Sequence, residues 1–390
     1  MTGSVSRLET FNKCPYRHLM QFGLNLNERK VHGMNGADYG TLVHDALDKL
    51  ISSYINELEA KQASPADANA LFASLTVEDI DARLNTILPE LVESFLHGLL
   101  LESASMRAEL ARIRRMIRDS ALAIMRQLAA GRFRPYKTEL RFGMDDGDPQ
   151  ALPALEIEGS GGVVFRIRGV IDRVDLFTPG SAEEDESAEY FRIVDYKTYD
   201  SRFDFTDLEH GLRVQLPLYA AAVEAGFEAS RRMSAAGFYY QHIHTPKVTV
   251  EAERENTVQT GLRLHGPTLN EETVIRATDE HMDGRSSVVI GLAFSKSKNA
   301  YTGRLLVTTG ELESAAKRAK TVATDTLNAI MQGRADISPY RSGSSHACTA
   351  CSYSSVCRFD TMAGDRFRRL RGISKEEFFE RDQGKEEKSE

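Results

Sequence analysis

Four cysteines constrain this chain more than any other feature. Cys348, Cys351 and Cys357 fall within ten residues, and Cys14 lies 334 residues before the first of them. If the four act as one set, the N-terminal helix and the C-terminal loop must meet in space. Three of four thiols in one short Ser/Thr-rich loop are hard to explain by packing. Four thiolates can close a tetrahedral site around Zn²⁺ or hold an iron–sulfur cluster, and the spacing alone does not separate the two. Metal ligation is expected over disulfides because the chain reads as cytoplasmic. Residues 1–7 hold no apolar signal-peptide core, and no stretch nears the ~18 apolar residues of a membrane helix. With 41% apolar and 27% charged residues, the 390-residue chain can bury a sizeable core.

Periodicity orders the rest. Ser6-Arg7-Leu8-Glu9 reads as a capping box opening a short helix that ends near Cys14-Pro15. Val43, Ala46, Leu50 and Tyr54 mark an amphipathic helix from Asp38 to about Glu59. Two more helices are expected over 77–130. Strands follow at Glu139–Phe142, Val163–Phe177 and Tyr190–Tyr196, rich in Val, Ile and Phe. Five acids in 183–189 make a solvated hairpin loop between the last two. A helix over Leu208–Ala225, strands at Ala236–His244 and Val288–Ala293, and a helix over Glu311–Gln332 complete the pattern. The charged end should fray. The whole predicts one α/β domain with a helical insertion.

The chemistry lies on two of those strands. One reads Gly169-Val170-Ile171-Asp172-Arg173-Val174-Asp175 and the next Asp195-Tyr196-Lys197-Thr198. Alternation puts Asp195 and Lys197 on one strand face, and a hairpin brings Asp172 alongside Asp195. The two acids can share a hard divalent ion such as Mg²⁺, which polarises a phosphodiester and activates water. Lys197 can orient that water or offset transition-state charge. His44 borders the apolar stripe of its helix and can point inward. Gln215 and Tyr219 stand one helical turn apart. Glu139, on a neighbouring strand, can support the site. No G-x-x-x-x-G-K-[ST] loop occurs, so ATP hydrolysis by this chain is not expected.

A net charge of −8 excludes a globally basic nucleic-acid binder. Between Ser105 and Arg141, however, ten Arg or Lys face only three acids. Arg114, Arg115 and Arg118 are the candidate phosphate contacts of that stretch; a plain solvated helix face is the simpler reading of the charges.

Together these residues resemble the RecB-like branch of the PD-(D/E)xK nucleases. Gly40-x-x-x-His44, the Gly169–Asp175 run, Asp195-Tyr196-Lys197-Thr198 and Gln215-x-x-x-Tyr219 occur in that family's order. The split cysteines match its iron–sulfur subgroup, and the likeness is closest to the nuclease domains of AddAB-type helicase–nuclease B subunits. The resemblance implies a restriction-endonuclease-like core: a central mixed sheet flanked by helices, with an iron–sulfur staple joining the termini. It implies one domain over 1–378, comprising a helical segment at 40–130, a catalytic sheet core at 136–300 and a cysteine loop at 340–360. A charged flexible tail at 379–390 would follow. His44, Asp172, Asp195 and the Tyr196 carbonyl would bind Mg²⁺ or Mn²⁺, and Lys197 would be the catalytic lysine. Gln215 and Tyr219 would support DNA or the active site. Cys14, Cys348, Cys351 and Cys357 would hold a structural [4Fe–4S] cluster. The implied activity is metal-dependent processing of double-strand break ends for recombination, cutting the 5′-terminated strand. The implied partners are DNA and the A subunit of the helicase/nuclease, with no membrane. The family's full B subunit carries a helicase-like region ahead of this domain, so an excised domain or stand-alone relative is expected. A Cas4/Dna2-type exonuclease and a catalytically silent DNA-end-binding module are the competing readings.

Overall fold

The computed structural model describes residues 2–27, 36–94, 103–144, 147–180, 189–199, 201–227, 233–244, 261–282, 286–349 and 351–386. Strand β1 (Thr2–Ser4) leads into helix α1 (Val5–Lys13), and Cys14 separates α1 from the short α2 (Pro15–His18). Four helices follow: α3 (Gly36–Ala60), α4 (Pro65–Ser74), α5 (Val77–Ser94) and α6 (Ala104–Ala130). Then come β2 (Arg134–Phe142), β3 (Leu155–Glu158), β4 (Val164–Phe177), β5 (Glu189–Lys197), α7 (Phe205–Glu209), α8 (Gln215–Phe227) and β6 (Met233–His242).

Strand β4 organises the sheet. It pairs parallel with β1 and antiparallel with β2, β3 and β5. Strand β5 pairs parallel with β6, which requires a crossover, and α8 lies within it. The sheet is therefore mixed, and each face is covered. One core gathers Leu42, Leu47, Leu50, Leu84, Ile117 and Ile124 of the helical insertion against Val194 and Tyr196. The other packs α1, α8 and the long helix Thr309–Met331 through Leu8, Leu218 and Ala319. Fully burying each Leu or Ile side chain contributes about 1.5–3 kcal/mol, which is why the apolar stripes dictate where the helices sit. Among the described residues no helix is long and apolar enough to cross a membrane.

The structure departs from the sequence reading where side chains override local pattern. Ser6 and Glu9 do not form a capping box: α1 begins at Val5 with Ser4 at its N-cap, and Glu9 reaches another helix. Helix α4 is absent from the sequence reading, although Ser64 and Asp67 form a true capping box with Pro65 at the first turn. The helix expected over Leu208–Ala225 is two helices, because Gly211 adopts a left-handed conformation (φ 68°) between them. A Cβ there would collide with the Asn12 side chain of α1. Val288–Ala293 is not a strand. Its amides bond to side chains instead: Val288 N–H to Asp279, and Val289 and Ile290 N–H to Ser287 Oγ. The strand begins only at Leu292. The tail expected from 379 is also corrected, because helix Lys375–Glu386 buries Phe378 and Phe379 against Phe205. Residues 183–186 of the acidic loop and 387–390 lie outside the described residues.

Candidate active site

Strands β4 and β5 pair Arg173 with Val194, and carrying that register one step further sets Asp172 opposite Asp195. The Tyr196 N–H donates to Asp172 Oδ2 at 2.6 Å and joins the strand ends. On the opposite sheet face, Arg173 donates to the Tyr196 hydroxyl at 2.9 Å, while Asp175 pairs with Arg173 and Arg192 at 2.9 and 2.7 Å. These three charged side chains are almost fully buried, so Asp175 is a structural ion partner and not a ligand.

Helix α3 brings His44 down onto this corner. His44 Nδ1 lies 3.3 Å from Asp172 Oδ2, and its ring stands edge-on to Tyr196. Glu139 completes the group from β2. It has a left-handed backbone (φ 48°) between the ladder pairs Thr138–Arg173 and Leu140–Ile171. A non-glycine residue held there costs about 1–3 kcal/mol and marks a site worth explaining. Ligand atoms of His44, Glu139 and Asp172 all lie within 4.8 Å of one another. One imidazole and two carboxylates suit a divalent ion such as Mg²⁺ or Mn²⁺.

Of the expected ligands, His44 and Asp172 fall in this group, and the oxygens of Asp195 beside them have partners of their own. Gln215 Nε2 donates to Asp195 Oδ1 at 2.8 Å, Lys197 Nζ pairs with Asp195 Oδ2, and Lys197 Nζ also donates to Gln215 Oε1 at 3.4 Å. Tyr196 meets the acids through its N–H. Tyr219 stacks edge-on against Phe142, and its hydroxyl would lie 2.9 Å from a Cβ at Gly169, where Phe142 crowds closer still. Only glycine fits at Gly169, which accounts for the glycine that opens the Asp172 motif.

The electrostatics divide the acids. Burial would raise Asp172, but His44, Lys197 and the Tyr196 N–H outweigh it and hold the carboxyl below its ordinary range. Burial pushes Asp195 up to about 6, with Asp172 adding to the rise and Lys197 opposing it. Burial, then Asp172 and Asp48, lifts Glu139 to about 7. Burial disfavours charge on His44, yet Asp172 and Asp195 raise it to about 9. Lys197 is buried too, and Asp195 and Asp172 keep it firmly cationic. Beside Lys197 and Gln215 opens a cleft of ≈ 340 Å³ bordered also by Lys13, Tyr199, Arg213 and Tyr240.

The other expected residues are placed as follows. Cys14 is buried and Cys348, Cys351 and Cys357 are half-buried, all as free thiols. Burial and then the thiols of Cys351, Cys14 and Cys357 push Cys348 up to about 11. Among the described residues, no three of the sulfurs lie within 4.8 Å of each other. A single zinc with bonds of about 2.3 Å needs them about 3.8 Å apart. Arg114 and Arg118 are not open cations: Asp81 of α5 takes both, at 2.9 and 3.5 Å, and Asp119 takes Arg118 at 2.9 Å. Arg115 is exposed. Glu139, a supporting acid in the sequence reading, stands in this group; its signal is an acid on the strand that pairs beside Asp172.

The chain matches the PD-(D/E)XK nuclease superfamily over residues 2–358 and belongs to that family. It is similar to the ATP-dependent helicase/deoxyribonuclease B subunit of Bacillus thuringiensis (strain Al Hakam), 29% identical over an alignment that covers 97% of this chain and 32% of the relative. The B subunit of the same name from Bacillus anthracis is 28% identical over 389 residues, with the same coverage. The chain thus spans about a third of the length of the curated relatives it matches.

Proposed function

We propose that this chain is a metal-dependent deoxyribonuclease unit of a helicase–nuclease B subunit, acting in repair of broken DNA. The observation that carries the reading is the closing of His44, Glu139 and Asp172 into one ligand group beside the Asp195–Lys197–Gln215 set. These three residues would hold Mg²⁺ or Mn²⁺. Such an ion polarises a phosphodiester and lowers the pKa of bound water. Asp172, the stronger acid, stays ionised as a ligand. Lys197, cationic and aimed by Asp195 and Gln215, offsets the charge that grows on the phosphate during attack. Gln215 fixes both side chains, so neither must reorganise when substrate arrives.

The cleft beside Lys197 would take the DNA strand, and the finer reading is exonucleolytic trimming of the 5′-terminated strand at double-strand ends in the cytoplasm. The helicase/nuclease A subunit is the implied partner. For the cysteines we propose a [4Fe–4S] cluster, on the likeness of the split set Cys14, Cys348, Cys351 and Cys357 to the iron–sulfur subgroup. The test is a cleavage assay on single- and double-stranded DNA with Mg²⁺ or Mn²⁺, with EDTA as control, using anaerobically prepared, iron-loaded protein. Metal-dependent cleavage is expected. No cleavage by that preparation, with or without the A subunit, would overturn the reading.

A further inference from the structure

We infer that Glu9 is a positioning residue of the active site, acting from the N-terminal helix through the first turn of α8. Glu9 Oε1 accepts the backbone N–H groups of Val214 and Gln215 at 3.0 and 3.2 Å. Leu218 N–H already bonds to the Val214 carbonyl, so Val214 is the N-cap of α8. Its N–H and that of Gln215 belong to the first turn, whose donors have no partner inside the helix. A carboxylate supplied from 205 residues away takes the place of a local cap. The residue whose N–H it holds is the one whose side chain bridges Asp195 and Lys197. One carboxylate thus ties the backbone of Gln215 while Gln215 ties the reactive pair.

The surroundings leave Glu9 little freedom. On the same helix, Asn12 packs against Gly211 in the turn before α8 and donates to Thr326 Oγ1 of the long C-terminal helix at 2.8 Å. Arg368 donates to the Asn12 carbonyl from the other side. Glu9 also borders the cleft that holds Lys197 and Gln215. Losing the acceptor frees the first turn of α8, and Gln215 is the first side chain to drift. A misplacement of about 1 Å in such a group costs up to about a hundredfold in rate.

The inference rests on the nuclease reading for its kinetic readout only. The test compares Glu9→Ala and Glu9→Gln in the full 390-residue chain. In Glu9→Ala we expect kcat for DNA cleavage to fall about ten- to a hundredfold, with KM within about threefold of wild type. Glutamine keeps an acceptor oxygen, so Glu9→Gln should recover kcat to within about threefold. By amide hydrogen exchange, Val214 and Gln215 in Glu9→Ala should exchange about tenfold faster or more, while amides of the central sheet keep their protection. Wild-type kcat in Glu9→Ala, or a Glu9→Gln variant as slow as alanine, would overturn the inference. If wild-type protein cleaves nothing, the nuclease reading fails on its own, and unchanged exchange at Val214 and Gln215 would independently overturn this one.

Discussion

Asp172 and Asp195 stand side by side on antiparallel strands with opposite acidities. Asp172 is held below the ordinary carboxylate range, while Asp195 is raised to about 6. Two carboxylates this close resist ionising together. The protein separates them by partner: Asp172 takes His44 and a backbone N–H, and Asp195 takes Lys197 and Gln215.

The first prediction follows from that division. Asp195→Asn keeps the shape but removes the charge that aims Lys197. Cleavage should fall at least about a hundredfold, while the melting temperature shifts by only a few degrees. Steady-state rates beside a thermal melt check both. Unchanged cleavage would remove Asp195 from the site.

Glu139→Gln tests the acid that joins His44 and Asp172 in the candidate ligand group. It takes one of the two carboxylates from the ligand group. Mn²⁺ affinity, measured by calorimetry on the metal-free protein, should drop at least about tenfold. An unaltered dissociation constant would leave His44 and Asp172 without Glu139.

The pH dependence has a definite sign. Glu139 keeps its proton in the folded, metal-free protein up to about 7, against an ordinary value of 4.5. An acid raised by folding stabilises the fold fully below its unfolded pKa, and that contribution is lost as pH rises through the folded value. A bound cation opposes the loss by holding the carboxylate. The rise in melting temperature on adding Mn²⁺ should therefore grow between about pH 6 and pH 8. His44, raised to about 9, must also give up its proton to ligate, so the gain should continue above that window. A metal-induced shift that stays flat or shrinks with pH would contradict the assignment.

Cys348→Ala should lower the melting temperature of iron-loaded protein by more than about 5 °C. The cysteine loop and α1 lie at opposite ends of the sequence, and any shared group ties them. A wild-type melt in this variant would show that the thiols join nothing.

The arginine face now divides in two. Reversing Arg114 and Arg118 breaks pairs with Asp81 and should act on stability, by about 1 kcal/mol per half-buried pair. Arg115→Ala should leave the melt alone and reduce the salt slope of DNA binding by about 1. A slope unchanged in Arg115→Ala would make the whole face a solvated one.

The sheet and its chemistry are legible because they rest on short-range pattern. Alternation in 164–177 and 189–197 marks both strands, and the DxK spacing puts Asp195 and Lys197 on a common face. His44 is readable from its place beside an apolar stripe. What escapes is set by distant partners. Glu9 obeys the S-x-x-E spacing yet serves α8, because Val214 and Gln215 offer it two free donors. Glu139 enters the site through a single left-handed residue that no periodicity announces. Arg114 and Arg118 look like a phosphate grip until Asp81 of the neighbouring helix is in view.

The seating of α1 has a consequence for biosynthesis. Asn12 leaves the ribosome 356 residues before Arg368, which donates to its carbonyl, and 314 before Thr326, which receives its amide. Contacts of such separation form late and slowly, after the intervening chain has paid its loop-closure entropy. Glu9 rides on that helix, so the lysine and glutamine of the cleft stay loosely aimed while translation proceeds. On the proposed nuclease reading, a nascent chain would aim these groups only once the segments bearing Thr326 and Arg368 have emerged and locked the first helix down.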